Sequence, residues 1–159
     1  DPYEGGIRVP FIVSHPKKIR PGTTSDQVGY FADFFPTILE LIGLKSDQIF
    51  DGNSIAGVLH GTEKTNDVPP LYWEFYEKSG WRATRFGKWK AIQNNLHNSH
   101  EGPIELYDLY RDPSETFDVS QSHPQLVKKA KKIFQTASVP SEHYFWKHQQ
   151  QRTTNIYNN

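Results

Sequence analysis

One loop of this sequence carries side chains with the spacing of metal ligands: His97, His100 and Glu101. Imidazole nitrogens and a carboxylate could together hold a divalent cation. A metal site, however, needs three or four convergent ligands with oriented partners behind them. The stretch around the three residues is polar and offers no second anchoring pair, so we expect no metal site in this chain.

Aromatic and basic residues alternate between positions 72 and 90. On an exposed sheet face, such a pattern would suit an anionic sugar, with stacking on the rings and charge-assisted hydrogen bonds to its charged groups. Alternation along strands more often separates a core face from a solvent face, and core packing is the favoured interpretation. The candidates for substrate contact are Trp73, Trp81, Arg82 and Arg85.

A basic residue also interrupts an apolar run near the start of the chain. The run at residues 7–13 predicts a short, mostly buried strand, and Pro10 favours the edge of a sheet. Arg8 in such a strand needs a partner, because an unpaired buried charge is costly. We expect it to be a buried brace to Glu4 or Asp33, with direct contact to an anionic substrate as the alternative.

The elements that must position these groups follow from the sequence periodicity. A helix is predicted at residues 33–42, with Asp33 as its N-cap and Gly43 as its end. After Pro70 the period changes to two, which predicts a small antiparallel sheet. A second helix is predicted at 124–137 and would cover one face of that sheet. The four strands are predicted at 71–76, 81–86, 88–92 and 104–109.

The predicted elements divide the chain near residue 65. Residues 66–140 can close a core of their own, and 141–159 form a polar tail that we expect to be partly disordered. Residues 1–65 hold one strand and one very apolar helix, which is too little to bury itself. We therefore expect the chain to be a fragment of a longer protein, and to self-associate through exposed apolar surface.

Composition excludes several classes of function. The 159 residues carry 18 basic and 18 acidic side chains, a formal net charge of +0. That balance attracts neither nucleic acid nor an anionic membrane. No apolar run approaches the length of a membrane span. With no cysteine, the chain has neither disulfides nor a thiolate nucleophile.

Five ordered segments resemble the type I sulfatases, the aryl- and glycan-sulfatases of the alkaline phosphatase superfamily. Any one of them alone would be a weak signal, whereas all five in order are specific. The resemblance covers roughly residues 3–137. The segments are YEGGIRVP at 3–10, DFFPTIL at 33–39, DGNS at 51–54, ELYDL at 105–109 and DPSET at 112–116.

The resemblance implies hydrolysis of aryl or carbohydrate sulfate esters and export to the periplasm or the extracellular space. In the family, a formylglycine made from Cys or Ser is the nucleophile, and a divalent cation, usually calcium, polarises the sulfate. The formylglycine motif does not occur here, the metal ligands lie upstream, and the active-site lysine precedes Tyr3 by four residues. No catalytic residue is therefore expected in this chain. The residues expected beside the active site are Tyr3, Glu4, Gly5, Gly6 and Arg8.

The fold implied is α/β, with α+β character in the C-terminal part. Residues 1–65 would complete an alkaline-phosphatase-like catalytic domain, and 66–140 would form the sheet-and-helix subdomain. We expect the two glycines of the first segment to allow a close backbone approach. Two other functions stay open from the residues alone: a noncatalytic module that binds sulfated glycans, and a phosphoryl or phosphonate hydrolase of the same superfamily.

Overall fold

The computed structural model describes residues 1–63, 68–98, 102–139, 141, 143 and 144. The chain divides into two compact units. The sheet unit comprises residues 1–9 and 70–159, and the helical unit comprises residues 10–69. Most of the predicted tail at 141–159 lies outside the described residues. The division near residue 65 concerns the domains of a longer protein and stays a prediction.

The sheet unit is built on four antiparallel strands in the order β1-β2-β3-β4. Each strand pairs with the next along the chain, as the alternating pattern and the intervening glycines predicted. Gly87 has a φ of +60°, which suits the first position of the two-residue loop that joins β2 to β3. The bounds are Leu71–Phe75 for β1, Trp81–Phe86 for β2, Trp89–Asn94 for β3 and Ile104–Asp108 for β4.

One face of this sheet is covered by a helix, as predicted. The helix, α4, spans Pro124–Ala137 and has proline at its start, where the missing N–H costs nothing. Ala130 and Phe134 are fully buried between α4 and the sheet. The core here consists of Phe86, Ala91, Leu106, Ala130 and Phe134.

The opposite face of the sheet has a second, smaller apolar cluster. Its buried members are Ala83, Ile92 and Tyr107, with Tyr3 and three other residues packed against them. Tyr3 comes from the start of the chain, so the first residues close this face. The sheet therefore separates two apolar clusters, and the second one involves the segment YEGGIRVP.

The predicted strand at residues 7–13 is wrong. Glu4–Ile7 form a single helical turn, α1, which ends where the Arg8 N–H bonds the carbonyl of Glu4 at 2.9 Å. Residues 8–15 have no regular structure, and Ile12 is 90% exposed. A strand is stable only when a neighbour accepts its backbone hydrogen bonds, and Pro10 has no N–H to give.

The helical unit contains a 3₁₀ turn, Phe31–Asp33, followed by α2, Phe34–Leu41, and the short α3, Ala56–Leu59. The helix predicted at 33–42 is thus confirmed to within a residue at each end. The helix ends at Leu41, and Gly43, just after the cap residue Ile42, has a φ of +76°. Five large apolar side chains in α2 and directly beside it are exposed, however: Phe31, Phe34, Phe35, Ile38 and Ile42.

Candidate functional site

A carboxylate on β4 gathers the hydroxyl groups of two tyrosines. The hydroxyl of Tyr3 donates to Glu105 Oε2 at 2.7 Å, and that of Tyr107 donates to the same oxygen at 2.9 Å. The Asn94 side chain adds a donor to the Tyr3 hydroxyl at 3.2 Å. The rings of Tyr3 and Tyr107 meet edge to face, with centroids 6.2 Å apart. Tyr3 is thereby fixed against the sheet by both polar and aromatic contacts.

These tyrosines are held in the neutral form. Burial is the largest cause that raises the pKa of Tyr3 and of Tyr107, and the negative charge of Glu105 raises both further. A neutral phenol keeps its proton as a hydrogen-bond donor. The pair therefore serves as donors to Glu105, and neither tyrosine is suited to act as a base near neutral pH.

The charged centre of the sheet unit is Lys90 on β3. Its side chain is fully buried, and its Nζ lies 2.9 Å from Glu4 Oε1 and 2.9 Å from Glu115 Oε1. The contact with Glu115 lacks the angle of a hydrogen bond, so it is a contact between charges. A buried ammonium requires such partners, because it has lost the water that solvated it.

Glu115 also binds the main chain of Glu4. Its Oε2 accepts the backbone N–H of Glu4 at 2.5 Å. That N–H is at the start of α1, where helix donors have no partner within the helix and favour an anion. The two oxygens of one carboxylate are thus divided between Lys90 and the first turn of α1.

The segment DPSET builds the turn that presents Glu115. Asp112 Oδ2 accepts the backbone N–H groups of Thr116 and Phe117, both at 2.8 Å. Glu115 has a φ of +54°, in the left-handed region that a residue with a Cβ rarely adopts. Glu115 thus combines a strained backbone with contacts to Lys90 and to the Glu4 main chain. Strain of this kind is typical of residues with a specific role.

Only the second glycine of YEGGIRVP needs to lack a side chain. A Cβ on Gly6 would lie 2.4 Å from the carbonyl oxygen of Asp1, whereas one on Gly5 would meet no atom within 4 Å. The expected close backbone approach therefore applies to Gly6 alone.

Arg8 is exposed, so its prediction as a buried brace is wrong. Both of the expected partners are engaged elsewhere. Glu4 pairs with Lys90, and Asp33 accepts the backbone N–H groups of Tyr30 at 3.0 Å and Asn53 at 2.8 Å. The prediction failed because it assumed a strand that buries Arg8.

The four residues proposed for substrate contact divide between the two faces of the sheet. The pairing register puts Trp73, Trp81 and Arg85 on the face that carries Tyr3. Arg82 lies on the face of α4, with its guanidinium 4.7 Å from the ring centroid of Phe134. Three of the four are therefore brought together, and Arg82 is not with them.

Arg85 is the cross-strand neighbour of Lys90. Burial is the main cause that lowers the pKa of Arg85, and the charge of Glu4 partly opposes that change. Two carboxylates and two cations thus share this part of the sheet, which balances the buried charge. We did not foresee the roles of Lys90 and Glu115 from the sequence. The sequence did contain one indication of this contact: a lysine within a predicted strand, Lys90, and an acidic residue in each of the segments YEGGIRVP and DPSET.

Of the three residues with the spacing of metal ligands, the structure describes only His97. His97 Nε2 lies 2.5 Å from the backbone oxygen of Tyr76, while His100 and Glu101 lie outside the described residues. Among the residues that the structure describes, no group of three histidine, cysteine, aspartate or glutamate side chains could hold a metal ion.

In the helical unit, the segments DFFPTIL and DGNS bind each other. Beside the bond from Asp33 to the Asn53 N–H, Thr37 donates to the carbonyl of Asp33 at 2.6 Å and accepts the Ile55 N–H at 3.0 Å. Gly52 is required, since a Cβ there would lie 2.2 Å from the backbone of Ala32. These two segments therefore shape the backbone of this unit.

Comparisons with known proteins agree with the five segments. The family model described as N-sulphoglucosamine sulphohydrolase, C-terminal, matches residues 2–139. An ulvan-active sulfatase of Formosa agariphila is 41% identical over 148 residues, covering 74% of this chain and 30% of the relative. Arylsulfatase A of Homo sapiens is 30% identical over 156 residues, covering 82% of this chain and 30% of the relative.

Solved structures show the same fold. The structure of BT4656 in complex with its substrate, D-glucosamine-2-N,6-O-disulfate, aligns with a TM-score of 0.63 at 24% identity, over 77% of this chain and 26% of that chain. The alignment therefore shows that this chain and part of the BT4656 structure share a fold. The chain spans less than a third of each of these proteins. It belongs to the sulfatase family and represents the C-terminal portion of such a protein.

Proposed function

We propose that this chain is the C-terminal part of an enzyme, called the parent below, that hydrolyses sulfate esters. The observation that carries the proposal is the match of the sulfatase C-terminal family model to residues 2–139. The relatives include an arylsulfatase and an ulvan-active sulfatase, and BT4656 was solved with a sulfated glucosamine. Carbohydrate sulfates are therefore the substrate class to test first, followed by aryl sulfates.

The residues that break the ester bond would lie upstream of this chain in the parent. A bound divalent cation, expected to be calcium, supplies Lewis-acid polarisation of the sulfate oxygens. Family resemblance puts the ligands of this cation, like the formylglycine, in the rest of the parent. We derive no catalytic step from this chain.

The contribution of the chain itself would be to hold the segment that begins at Tyr3. Family resemblance puts the active-site lysine four residues before Tyr3. Tyr3 is bonded to Glu105, and the next residue, Glu4, is bonded to Lys90 and Glu115. Anchoring two successive residues would fix the direction of the backbone that carries the lysine, and orientation of this kind contributes strongly to catalysis.

The test compares three proteins: the parent, the parent with the Cys or Ser of its formylglycine motif replaced by Ala, and the 159-residue chain alone. Each is assayed on sulfated glucosamine and on an aryl sulfate, with calcium and with a chelator. We expect turnover only for the unmodified parent. Mass spectrometry of the parent should detect formylglycine. Metal-dependent turnover by the chain alone, or an inactive parent that carries formylglycine, would count against the proposal.

A second candidate is a noncatalytic module that binds sulfated glycans. The observation in its favour is that Trp73, Trp81 and Arg85 share one sheet face. Trp73 and Trp81 also pack against the apolar cluster of that face, and Trp81 stacks on Phe75 at 5.5 Å, which favours a structural role. Calorimetry of the chain with a sulfated disaccharide and its desulfated form decides: heat from the sulfated form alone would support binding, and flat titrations at millimolar sugar would dismiss it.

Export to the periplasm or the extracellular space is proposed from the family alone. Among the described residues, no helix is both long enough and apolar enough to cross a bilayer. Fractionation of cells that express the parent would test its location, and recovery of the parent only in the cytoplasmic fraction would overturn this proposal.

A further inference from the structure

Three stretches of chain that are far apart in sequence meet at one buried ammonium group. Lys90 on β3 contacts Glu4 from the first turn of the chain and Glu115 from the segment DPSET. The side chain of Lys90 has no exposed surface, and that of Glu115 is 2% exposed. This clamp, defined as Lys90, Glu4 and Glu115, is the most buried ionic cluster among the described residues.

The clamp is separate from the core that stabilises the sheet. The packing between α4 and the sheet uses Phe86, Ala91, Leu106, Ala130 and Phe134. Lys90 on β3 lies opposite Arg85 on β2 in the strand register. Its side chain is on the face of the sheet away from α4, where α1 docks. Removing the clamp should therefore release α1 while the sheet and α4 stay folded.

The geometry of the clamp restrains the backbone of α1. Glu115 binds Glu4 through the backbone N–H, while Lys90 binds Glu4 through its carboxylate. Two attachments to one residue restrict both its position and its rotation. The strained backbone of Glu115, with a φ of +54°, is a second sign of a role beyond packing, since strain of this kind is usually found at functional sites.

We propose that Lys90 and Glu115 are positioning residues of the parent sulfatase: by clamping Glu4 they fix the backbone that leads into Tyr3 and, through it, the active-site groups just upstream. This inference rests on the proposed function. It differs from a purely structural role, which would change stability and leave the turnover of the folded enzyme unaltered. A displaced catalytic group instead lowers kcat, because a shift of about 1 Å can cost about 100-fold in rate.

The experiment uses the full-length parent and the variants Lys90→Met, Lys90→Arg and Glu115→Gln. Lys88→Met is the control, because Lys88 is half exposed and pairs with Asp108 outside the clamp. We expect Lys90→Met to lower kcat by about 10- to 100-fold with KM within about threefold. Lys90→Arg, which keeps a cation within reach of both carboxylates, should restore part of kcat. Lys88→Met should match the wild type.

Hydrogen exchange supplies a readout that does not depend on activity. The amides of Glu4, Gly6, Ile7 and Arg8 are all hydrogen-bonded and should be protected in the wild type. In Lys90→Met, their protection should fall by at least about tenfold, while amides of β2 and β3 exchange as in the wild type. If Lys90→Met also loses protection in the strands, the variant has unfolded more widely than α1. The positioning role is then tested with Glu115→Gln, by its kcat and by the protection of the same α1 amides.

The outcomes separate the two proposals. An active wild-type parent whose folded Lys90→Met variant keeps its kcat and its protection of residues 4–8 overturns the positioning role. A wild-type parent that hydrolyses no sulfate ester overturns the proposed function, and the positioning role for catalysis falls with it. Loss of kcat and of protection together, with partial rescue by Lys90→Arg, supports both.

Discussion

The two units of this chain bury their apolar residues to different degrees. The sheet unit encloses a core between four strands and α4, with Ala91, Leu106 and Phe134 fully buried. In the helical unit, only Leu41 and Ala56 are buried among the described apolar residues, whereas Phe31 is 90% exposed. The same chain therefore contains one unit that completes its own core and one that presents an apolar surface.

The difference follows from what each unit has available. A sheet with a helix across it forms two layers, which is the minimum that buries an apolar face. The helical unit has one helix of eight residues, α2, whose N-terminal part is held by hydrogen bonds around Asp33 and Thr37. Those bonds fix the path of the backbone without covering α2. The chain spans 30% of relatives such as arylsulfatase A, and we expect a surface elsewhere in the parent to cover α2.

The largest expected effect tests the core of the sheet unit. Phe134→Ala should lower the free energy of unfolding of this unit by about 3–5 kcal/mol, since a fully buried ring leaves a cavity. Phe35→Ala, in the helical unit, should leave that transition within about 0.5 kcal/mol. Urea titration followed by tryptophan fluorescence measures this, because Trp73, Trp81 and Trp89 all belong to the sheet unit.

The control is Phe117→Ala, which removes an aromatic ring that is 71% exposed in the sheet unit. Its transition should coincide with that of the wild type. A shift for Phe35→Ala as large as that for Phe134→Ala would show that the two units unfold as one, and the comparison between them would fail.

The sequence was sufficient where local pattern decides the structure. Alternation predicted the four strands, and the stripe of apolar residues predicted α4 with Pro124 at its start. The strand predicted at residues 7–13 failed because a strand depends on a neighbour, which no local pattern supplies. The apolar face of α2 is exposed, as expected for a part of the chain with too few elements to bury that helix.

The candidate site was only partly predictable. The segments YEGGIRVP and DPSET identified Glu4 and Glu115 as family residues, yet neither segment indicated that both meet Lys90. Glu4 and Lys90 are separated by 86 positions, and their contact depends on the register of β3 and on the turn around Glu115. Long-range ion pairs of this kind cannot be derived from composition or periodicity. The wrong prediction for Arg8 shows the same limit, since it gave Glu4 to the nearest cation in sequence.

The exposed face of α2 gives the next prediction. The 159-residue chain should self-associate with increasing concentration, because contiguous exposed apolar surface favours association. The double variant Phe31→Ser, Phe34→Ser removes two stacked and exposed rings and should raise the association midpoint by about tenfold. Sedimentation velocity measures it. Phe117→Ser, at an exposed ring of the sheet unit, is the matched control. A monomeric wild-type chain, or an equal effect of the control, would contradict the role of α2.

The smallest expected effect concerns acid, and it should be confined to the sheet unit, where all three ion pairs among the described residues lie. The hydrogen bond from Lys88 lowers the pKa of Asp108, so the folded state binds a proton less readily than the unfolded state. That stabilisation is present above the ordinary aspartate pKa of about 3.9 and is lost as the pH falls through the folded value.

Lys88→Met should abolish most of this dependence. The expected change is below about 1 kcal/mol, because the Lys88 side chain is 45% exposed and solvent screens the pair. The measurement is the difference in unfolding free energy between wild type and Lys88→Met, at pH 6 and at pH 2.5 or so, from tryptophan fluorescence. Taking the difference between the two proteins removes the effect of the other carboxylates. Comparing that difference at the two pH values removes the contact of Lys88 with the Trp89 ring, which does not titrate in this range. A difference that is equal at both pH values would show that the Lys88–Asp108 pair adds no pH-dependent stability to the sheet unit.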